Sequence, residues 1–198
     1  MTKKTLAFAS GSDHKRKEMQ MLLSPLGYEV VTPKTLGIIF DPEESETTFV
    51  GNSFIKSKEL FRLTGLPSFA DDSGICVDVL GGEPGVYSAR FGGPGLTDKE
   101  RALYLLNQLG QNSNRNAHYS CVVSYVDTIH QVSFEGKVEG LITSDYDEIG
   151  KYGFGYDPIF YYPNFGKRFS EVPEEEKNKV SHRKKAMDLF LDWFQNNQ

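Results

Sequence analysis

Apolar and polar positions divide the chain into short segments of two different periods. The run Thr5-Leu6-Ala7-Phe8-Ala9 reads as a buried strand, and Ser10-Gly11-Ser12-Asp13 after it as a tight turn of helix-capping types. Residues 14–23 then read as a helix with Met19, Leu22 and Leu23 inward, stopped by Pro25. A short strand is expected over residues 28–32. The acidic loop Asp41-Pro42-Glu43-Glu44-Ser45-Glu46 leads to a helix that starts at Thr47-Thr48 and runs to about Thr64. Its expected inner face is Val50, Phe54 and Phe61, and Gly65-Leu66-Pro67 ends it. Ile75, Val77 and Val79 alternate with polar residues, the signature of a half-buried strand, and a Gly- and Pro-rich turn follows. Thr97-Asp98-Lys99-Glu100 has the spacing of a capping box, opening a helix through Leu103, Leu106 and Leu109 that Gly110 closes. Residues 118–126 and 131–142 read as an antiparallel pair joined around Asp127-Thr128. Pro173 followed by three glutamates opens a helical turn. Ser181 caps a last helix with an inner stripe of Ala186, Met187, Phe190, Leu191 and Phe194.

The totals narrow the function classes. At 198 residues the chain is large enough for a real core and is expected to form one domain over residues 1–198. A net charge of −5 argues against a protein that wraps nucleic acid, although Lys15 to Lys17 and Arg183 to Lys185 leave room for local anion sites. No apolar run is long enough to span a bilayer, and there is no secretory signal. Cys76 and Cys121 lie far apart in apolar runs and read as reduced core residues of a cytoplasmic protein, not metal ligands.

Chemistry concentrates in a few stretches. In Asp71-Asp72-Ser73 two carboxylates and a hydroxyl lead into a strand, and on an extended backbone the two acids point to opposite faces. One can face a site while the other braces a loop. The Ser10–Asp13 turn, with Lys15 in the first turn of the following helix, offers free N–H groups and positive charge to an anion. Asn52 and Lys56, four apart, share one helix face. In Gly153-Phe154-Gly155-Tyr156-Asp157 the glycines let backbone approach a ligand and the aromatics offer stacking surfaces for a base. His182 and Arg183 occupy a first helical turn, where the dipole disfavours cations unless an anionic ligand also arrives. Carboxylates without cysteine suit a hard cation such as Mg²⁺, the lysines and arginines suit a polyphosphate, and the Gly-aromatic loop suits a base. Together they point to a Mg-dependent nucleotide phosphohydrolase.

The same stretches resemble the inosine triphosphate pyrophosphatase family. The likeness rests on Phe69-Ala-Asp-Asp-Ser-Gly-Ile75, Gly81-Gly-Glu-Pro-Gly-Val-Tyr-Ser-Ala-Arg90, Gly153-Phe-Gly-Tyr-Asp-Pro-Ile-Phe160 and Ser181-His-Arg183, in the family's order and spacing. The resemblance implies an α/β fold with a long curved mixed sheet, flanking helices and two lobes with the active site in the cleft between them. It implies a cytoplasmic homodimer that hydrolyses the purine nucleotides ITP, dITP and XTP to monophosphate and pyrophosphate with Mg²⁺. On this resemblance Asp72 is the catalytic acid and a metal ligand, with Asp71 beside it. The second metal carboxylate is Glu43 or Glu44, and Lys56 falls on the lysine of the following helix. Ser10, Gly11, Ser12, Lys15, Ser73 and Lys177 fall on the phosphate side. Phe154, Gly155, Tyr156, Asp157, His182 and Arg183 fall on the base side, where N–H donors suit a 6-oxo group and meet adenine's amino group donor against donor.

The match departs at Ser12, where the family carries asparagine; serine is shorter and lacks the amide donor pair. Two other readings stand beside the main one. A pyrophosphatase of related fold acting on standard or methylated pyrimidine nucleotides is opposed by Ser181-His182-Arg183. A catalytically dead nucleotide-binding protein has the Ser12 departure as its support.

Overall fold

The computed structural model describes residues 4–197. Seven strands form one mixed sheet in the order β2-β1-β3-β4-β5-β6-β7: β1 (Lys4–Phe8), β2 (Tyr28–Val31), β3 (Ser68–Val77), β4 (Asn116–Val126), β5 (Gln131–Ile142), β6 (Phe160–Tyr162) and β7 (Lys167–Arg168). Helices flank it: α1 (Asp13–Leu23), α2 (Pro33–Leu36), α3 (Phe49–Thr64), α4 (Asp98–Leu109), α5 (Glu174–Val180) and α6 (His182–Asn196). The α/β class and the mixed sheet expected from the sequence are therefore present. The chain divides into two compact units, one of Met1–Asp72 with Val122–Phe134, the other of Ser73–Cys121 with Glu135–Gln198.

In the first unit, β1 pairs in parallel with β2 and with β3. The chain therefore leaves β1 toward one neighbour and returns on its other side, so the strand order reverses at β1. Ligands of open α/β sheets bind beyond the carboxyl ends of the strands at such a reversal. Here the carboxyl end of β1 runs into Ser10–Ser12 and the start of α1. Ala7, Ala9 and Ala70 pack against Leu60 of α3, and Phe8 stacks on Phe69 with ring centroids 4.6 Å apart. Alternation along β1 and β3 separates these two sets, small residues on one face and rings on the other.

The buried face of α3 differs from the expectation. Asn52, Ser53, Ser57 and Leu60 are inside, whereas Val50 is exposed and Phe54 and Phe61 are half-buried. Small side chains bring the helix close to its neighbours, and the two serine hydroxyls find partners, whereas Asn52 Nδ2 is buried with none among the described residues. Ser57 Oγ lies 2.8 Å from Ser124 Oγ, and Ser53 Oγ donates to the Val50 carbonyl. Hydrophobicity alone favours the larger residues, but close packing against the neighbouring strands places the smaller ones inside.

The β4–β5 hairpin turns through Asp127–His130. The Asp127 carboxylate accepts from the Ile129 and His130 N–H groups at 2.7 and 2.6 Å and from the Tyr125 hydroxyl at 2.8 Å. Burial opposes its charge, but the His130 and Ile129 amides outweigh it and lower the pKa to about 2. The unfolded value is near 3.9. The carboxylate therefore stabilises the fold above about pH 4, and that contribution is lost as pH falls toward 2. Asp127→Asn should cost about 1 kcal/mol at pH 7 and show a flatter loss of stability from pH 4 to 2 than the parent, measured by urea unfolding.

In the second unit the core joins Ile75 and Val77 of β3, Ala102, Leu105 and Leu109 of α4, and Tyr119, Phe160 and Phe169. β3 is longer than its alternating run suggested. It starts at Ser68, it is buried on both faces from Gly74 to Val77, and Val79 lies beyond it, partly exposed. The capping box forms as expected, with Thr97 Oγ1 accepting from Glu100 N and Glu100 Oε2 accepting from Thr97 N. Leu103 faces solvent, however, and Leu105 takes the inner position. Ser181 caps α6 by accepting from Lys184 N at 3.1 Å, and Ala186, Met187, Phe190 and Phe194 are buried. Cys76 and Cys121 are both buried in the core. Among the described residues no helix is long and apolar enough to cross a membrane.

Candidate active site

The first unit gathers most of the expected charged residues in one place. Asp71 and Asp72 are neighbours on β3, and each finds a different lysine, as opposite strand faces require. Lys15 Nζ donates to both Asp71 oxygens, at 3.1 and 2.8 Å. Lys56 Nζ lies 3.1 Å from Asp72 Oδ1 and 3.0 Å from Glu44 Oε1, so one ammonium bridges the strand to the acidic loop. Glu43 is exposed, whereas Glu44 is half-buried against Lys56. The loop is anchored to the start of α3. The Asn52 side chain accepts from Glu46 N at 3.0 Å, and a Cβ on Gly51 would lie 2.6 Å from the Glu46 Cβ.

Three carboxylates here face two ammonium groups, and the proton affinities reflect it. Burial raises the Asp72 pKa, the Lys56 charge pulls it back, and the Glu44 and Asp71 charges add to the rise, so the net shift is upward. Burial lowers the Lys56 pKa, but Asp72, Glu44 and Asp71 together outweigh it, and the lysine holds its proton more tightly than usual. The two directions agree because Lys56 sees three anions while Asp72 sees one cation and two like charges. Asp72 Oδ2 is buried and has no hydrogen-bond partner among the described residues.

The Ser10–Ser12 turn sits at the start of α1. Ser10 Oγ accepts from Ser12 N at 3.2 Å, and Ser12 Oγ caps the helix by accepting from Lys15 N at 3.3 Å. The hydroxyl at the position of the departure thus already has a structural task. Asp13 is held by Lys34 at 2.7 Å. Gly11 is exposed, and a Cβ there would meet nothing.

The second unit gathers the Gly-aromatic loop with residues from α5 and α6. Asp157, buried, is the hub. It accepts from Phe154 N at 3.0 Å, from Lys177 Nζ at 2.7 Å and from the Tyr119 hydroxyl at 3.2 Å. Gly153 needs its positive φ of 79°, and a side chain there would collide with the Asp157 carboxylate. The Phe154 ring is exposed to solvent, with Lys177 Nζ 4.9 Å from its centroid. Lys177, expected with the phosphate contacts, lies beside Asp157 and Phe154, two residues expected on the base side. The Gly155 N–H is held by Asp98 at 3.0 Å. Tyr156 turns inward: its hydroxyl donates to the Ser88 carbonyl at 2.8 Å, and burial raises its pKa. The His182 imidazole stacks on the Tyr119 ring, centroids 4.9 Å apart and planes within 11°. Arg183 is half-buried beside it in the chain, and so is Ser73 next to Asp72.

Tyr119 and Asp98 were not anticipated from the sequence. Asp98 carried a signal only as part of a capping box. Tyr119 carried one only as a buried-strand tyrosine, whose hydroxyl needs a partner that the sequence does not name.

The Ham1 family profile matches residues 6–193. The chain belongs to the Ham1 family. It is 86% identical over 195 residues to the dITP/XTP pyrophosphatase of Leptospira biflexa serovar Patoc, covering 98% of each chain. It is 56% identical over 189 residues to the dITP/XTP pyrophosphatase of Leptospira interrogans serovar Lai, covering 96% of each. Among solved structures it is similar to the Staphylococcus aureus Ham1 protein, with a TM-score of 0.92 and 34% identity, covering 98% of this chain and 100% of that one. It is equally similar in fold to a Ham1 protein of Coxiella burnetii, with a TM-score of 0.92 and 35% identity over 98% of this chain and 99% of that one. Ham1 membership bears out the family that the motifs pointed to.

Proposed function

We propose that this Ham1 family chain is a nucleoside-triphosphate pyrophosphatase that hydrolyses ITP, dITP and XTP to the monophosphate and pyrophosphate, clearing aberrant purine nucleotides. The observation that carries the reading is the buried, unpartnered Oδ2 of Asp72 in a cluster where acids outnumber lysines. Such an atom calls for a cation or a proton to complete it. Relatives sharing 86% and 56% of the sequence bear the name dITP/XTP pyrophosphatase.

The donor set fits Mg²⁺. Among the described residues no three His, Cys, Asp or Glu side chains converge to make a protein cage. Mg²⁺ does not need one, because it keeps several waters and binds through one or two carboxylates and the substrate phosphates. Asp72 and Glu44 are the residues that would hold it, with Glu44 favoured over Glu43 because Lys56 already binds it near Asp72. When bound, the ion would neutralise phosphate charge and lower the pKa of a coordinated water. Asp72 would take the proton of the attacking water as the bond between the α- and β-phosphates breaks. Lys15, Lys56, Ser73 and the amides around Ser10, Gly11 and Ser12 would offset charge on the phosphate oxygens. Phe154 would stack on the base, with Lys177 and Asp157 holding its loop, while His182 and Arg183 donate to the 6-oxo group. Tyr156 serves this reading as the anchor of the loop, since its hydroxyl is spent on Ser88. The same reading carries a cytoplasmic homodimer whose partner is the small nucleotide and not nucleic acid.

The products test the reaction. ITP should yield one equivalent each of IMP and pyrophosphate, separated by anion-exchange chromatography. Release of orthophosphate and IDP would mean that a different anhydride bond is cut.

A further inference from the structure

We propose that Tyr119 is a positioning residue for base selectivity, joining the Asp157 loop and the His182 side chain through one ring. The proposal rests on the reading above that these residues receive the base. Tyr119 lies on β4, 8% exposed, and touches both halves of the base-side set. Its hydroxyl donates to Asp157 Oδ1, which leaves Oδ2 to Lys177 Nζ and Phe154 N. Its ring lies flat against the His182 imidazole, at 4.9 Å and 11°. Behind it, Phe160 at 4.7 Å and Phe169 at 6.2 Å fix the ring's plane within the core.

What makes Tyr119 more than a core tyrosine is that the backbone on either side is already pinned. The first turn of α6 sits directly on β5, where a Cβ on Gly136 would collide with the His182 carbonyl and the Ala186 amide. The Gly153–Asp157 loop is closed over its own carboxylate and tied to Asp98 through Gly155. With both backbones fixed, the remaining freedom is in the side chains, and Tyr119 limits two of them. The imidazole plane follows the tyrosine ring. The Asp157 carboxylate turns no further than its three donors allow, so Lys177 stays above the Phe154 ring on which a base would stack. Discrimination of a 6-oxo from a 6-amino group requires donors held in one direction, because a donor free to swing satisfies neither rejection nor recognition. Burial also keeps the phenol protonated by raising its pKa, so the hydroxyl is a donor at every working pH.

The test uses the intact enzyme and two variants. Tyr119→Phe keeps the ring against His182 and removes the donor to Asp157, and Tyr119→Leu removes both. Tyr119→Phe should raise KM for ITP about tenfold with kcat within about twofold, and should lower the ITP-to-ATP ratio of kcat/KM about tenfold, equivalent to about 1.4 kcal/mol. Tyr119→Leu should lower the ratio further. Inhibition by inorganic pyrophosphate, which has no base, should keep its inhibition constant in Tyr119→Phe. Equal losses for ITP and ATP, a weaker pyrophosphate inhibition in parallel, or an unchanged ratio in Tyr119→Phe would each overturn the proposal. Failure of the underlying reading shows separately, in the parent enzyme, as a ratio near one before any variant is made.

Discussion

Asp72→Asn should lower the rate of pyrophosphate release from ITP by at least about 10³-fold while leaving the fold intact. The magnitude combines a lost proton acceptor, worth 10²–10⁴-fold, with a weakened cation site. Asparagine keeps the size of the side chain and one carbonyl oxygen, so packing is preserved. The fold should not suffer, for a reason that the pKa supplies. The Asp72 pKa is raised in the folded state, by burial first and then by Glu44 and Asp71 against the pull of Lys56. Above that raised pKa the ionised form is penalised in the fold relative to the unfolded chain, so the charge detracts from stability at neutral pH. A neutral amide removes that penalty, although Lys56 loses one of its two carboxylates. Thermal unfolding should therefore shift by only a few degrees. Retention of more than a tenth of the parent rate would contradict the role given to Asp72.

Lys56→Met should lower kcat/KM for ITP about 100-fold and move the acid limb of its pH profile upward. Lys56 is the group that draws the Asp72 pKa down and that ties Glu44 to Asp72. Without it, burial and the two remaining carboxylates act unopposed, and Asp72 protonates at higher pH. A reaction that needs the ionised form then fails earlier as pH falls. Stability should drop by about 2 kcal/mol at pH 7, less than for a fully buried pair, because Glu44 keeps some solvent and Asp72 can neutralise itself. An unchanged acid limb in a variant that folds would show that Asp72 does not titrate in the reaction.

How much of this was legible beforehand depended on where the signal was stored. Caps and stops are local, so Thr97 and Ser181 were readable as caps, and the Ser10–Asp13 turn and Thr47-Thr48 as the helix starts that Ser12 and Thr48 cap. The opposite aim of Asp71 and Asp72 followed from the period of a strand, and their separate lysine partners follow it. The family motifs supplied the residue roles. Packing choices were not legible in the same way. The inner face of α3 is serine and asparagine because the sheet lies close, which the helix's own sequence does not reveal. Leu103 and Leu105 are equally apolar, and only the tertiary contact decides which is inside. The link from Tyr119 to Asp157 spans 38 positions and that from Lys177 to Asp157 spans 20. Neither leaves a trace in local pattern, so the base-side hub appeared only with the fold. Glu43 and Glu44 are chemically identical, and what separates them is the reach of Lys56.

The most direct measurement is the rate of pyrophosphate release from ITP, dITP, XTP, ATP and GTP, run in parallel on the parent enzyme with Mg²⁺. In the proposed function the donors of His182 and Arg183 read a 6-oxo group, and a site built around such a contact would reject adenine's 6-amino group strongly. The account predicts kcat/KM for ITP, dITP and XTP at least about 100-fold above that for ATP. Equal values for ATP and ITP would contradict it.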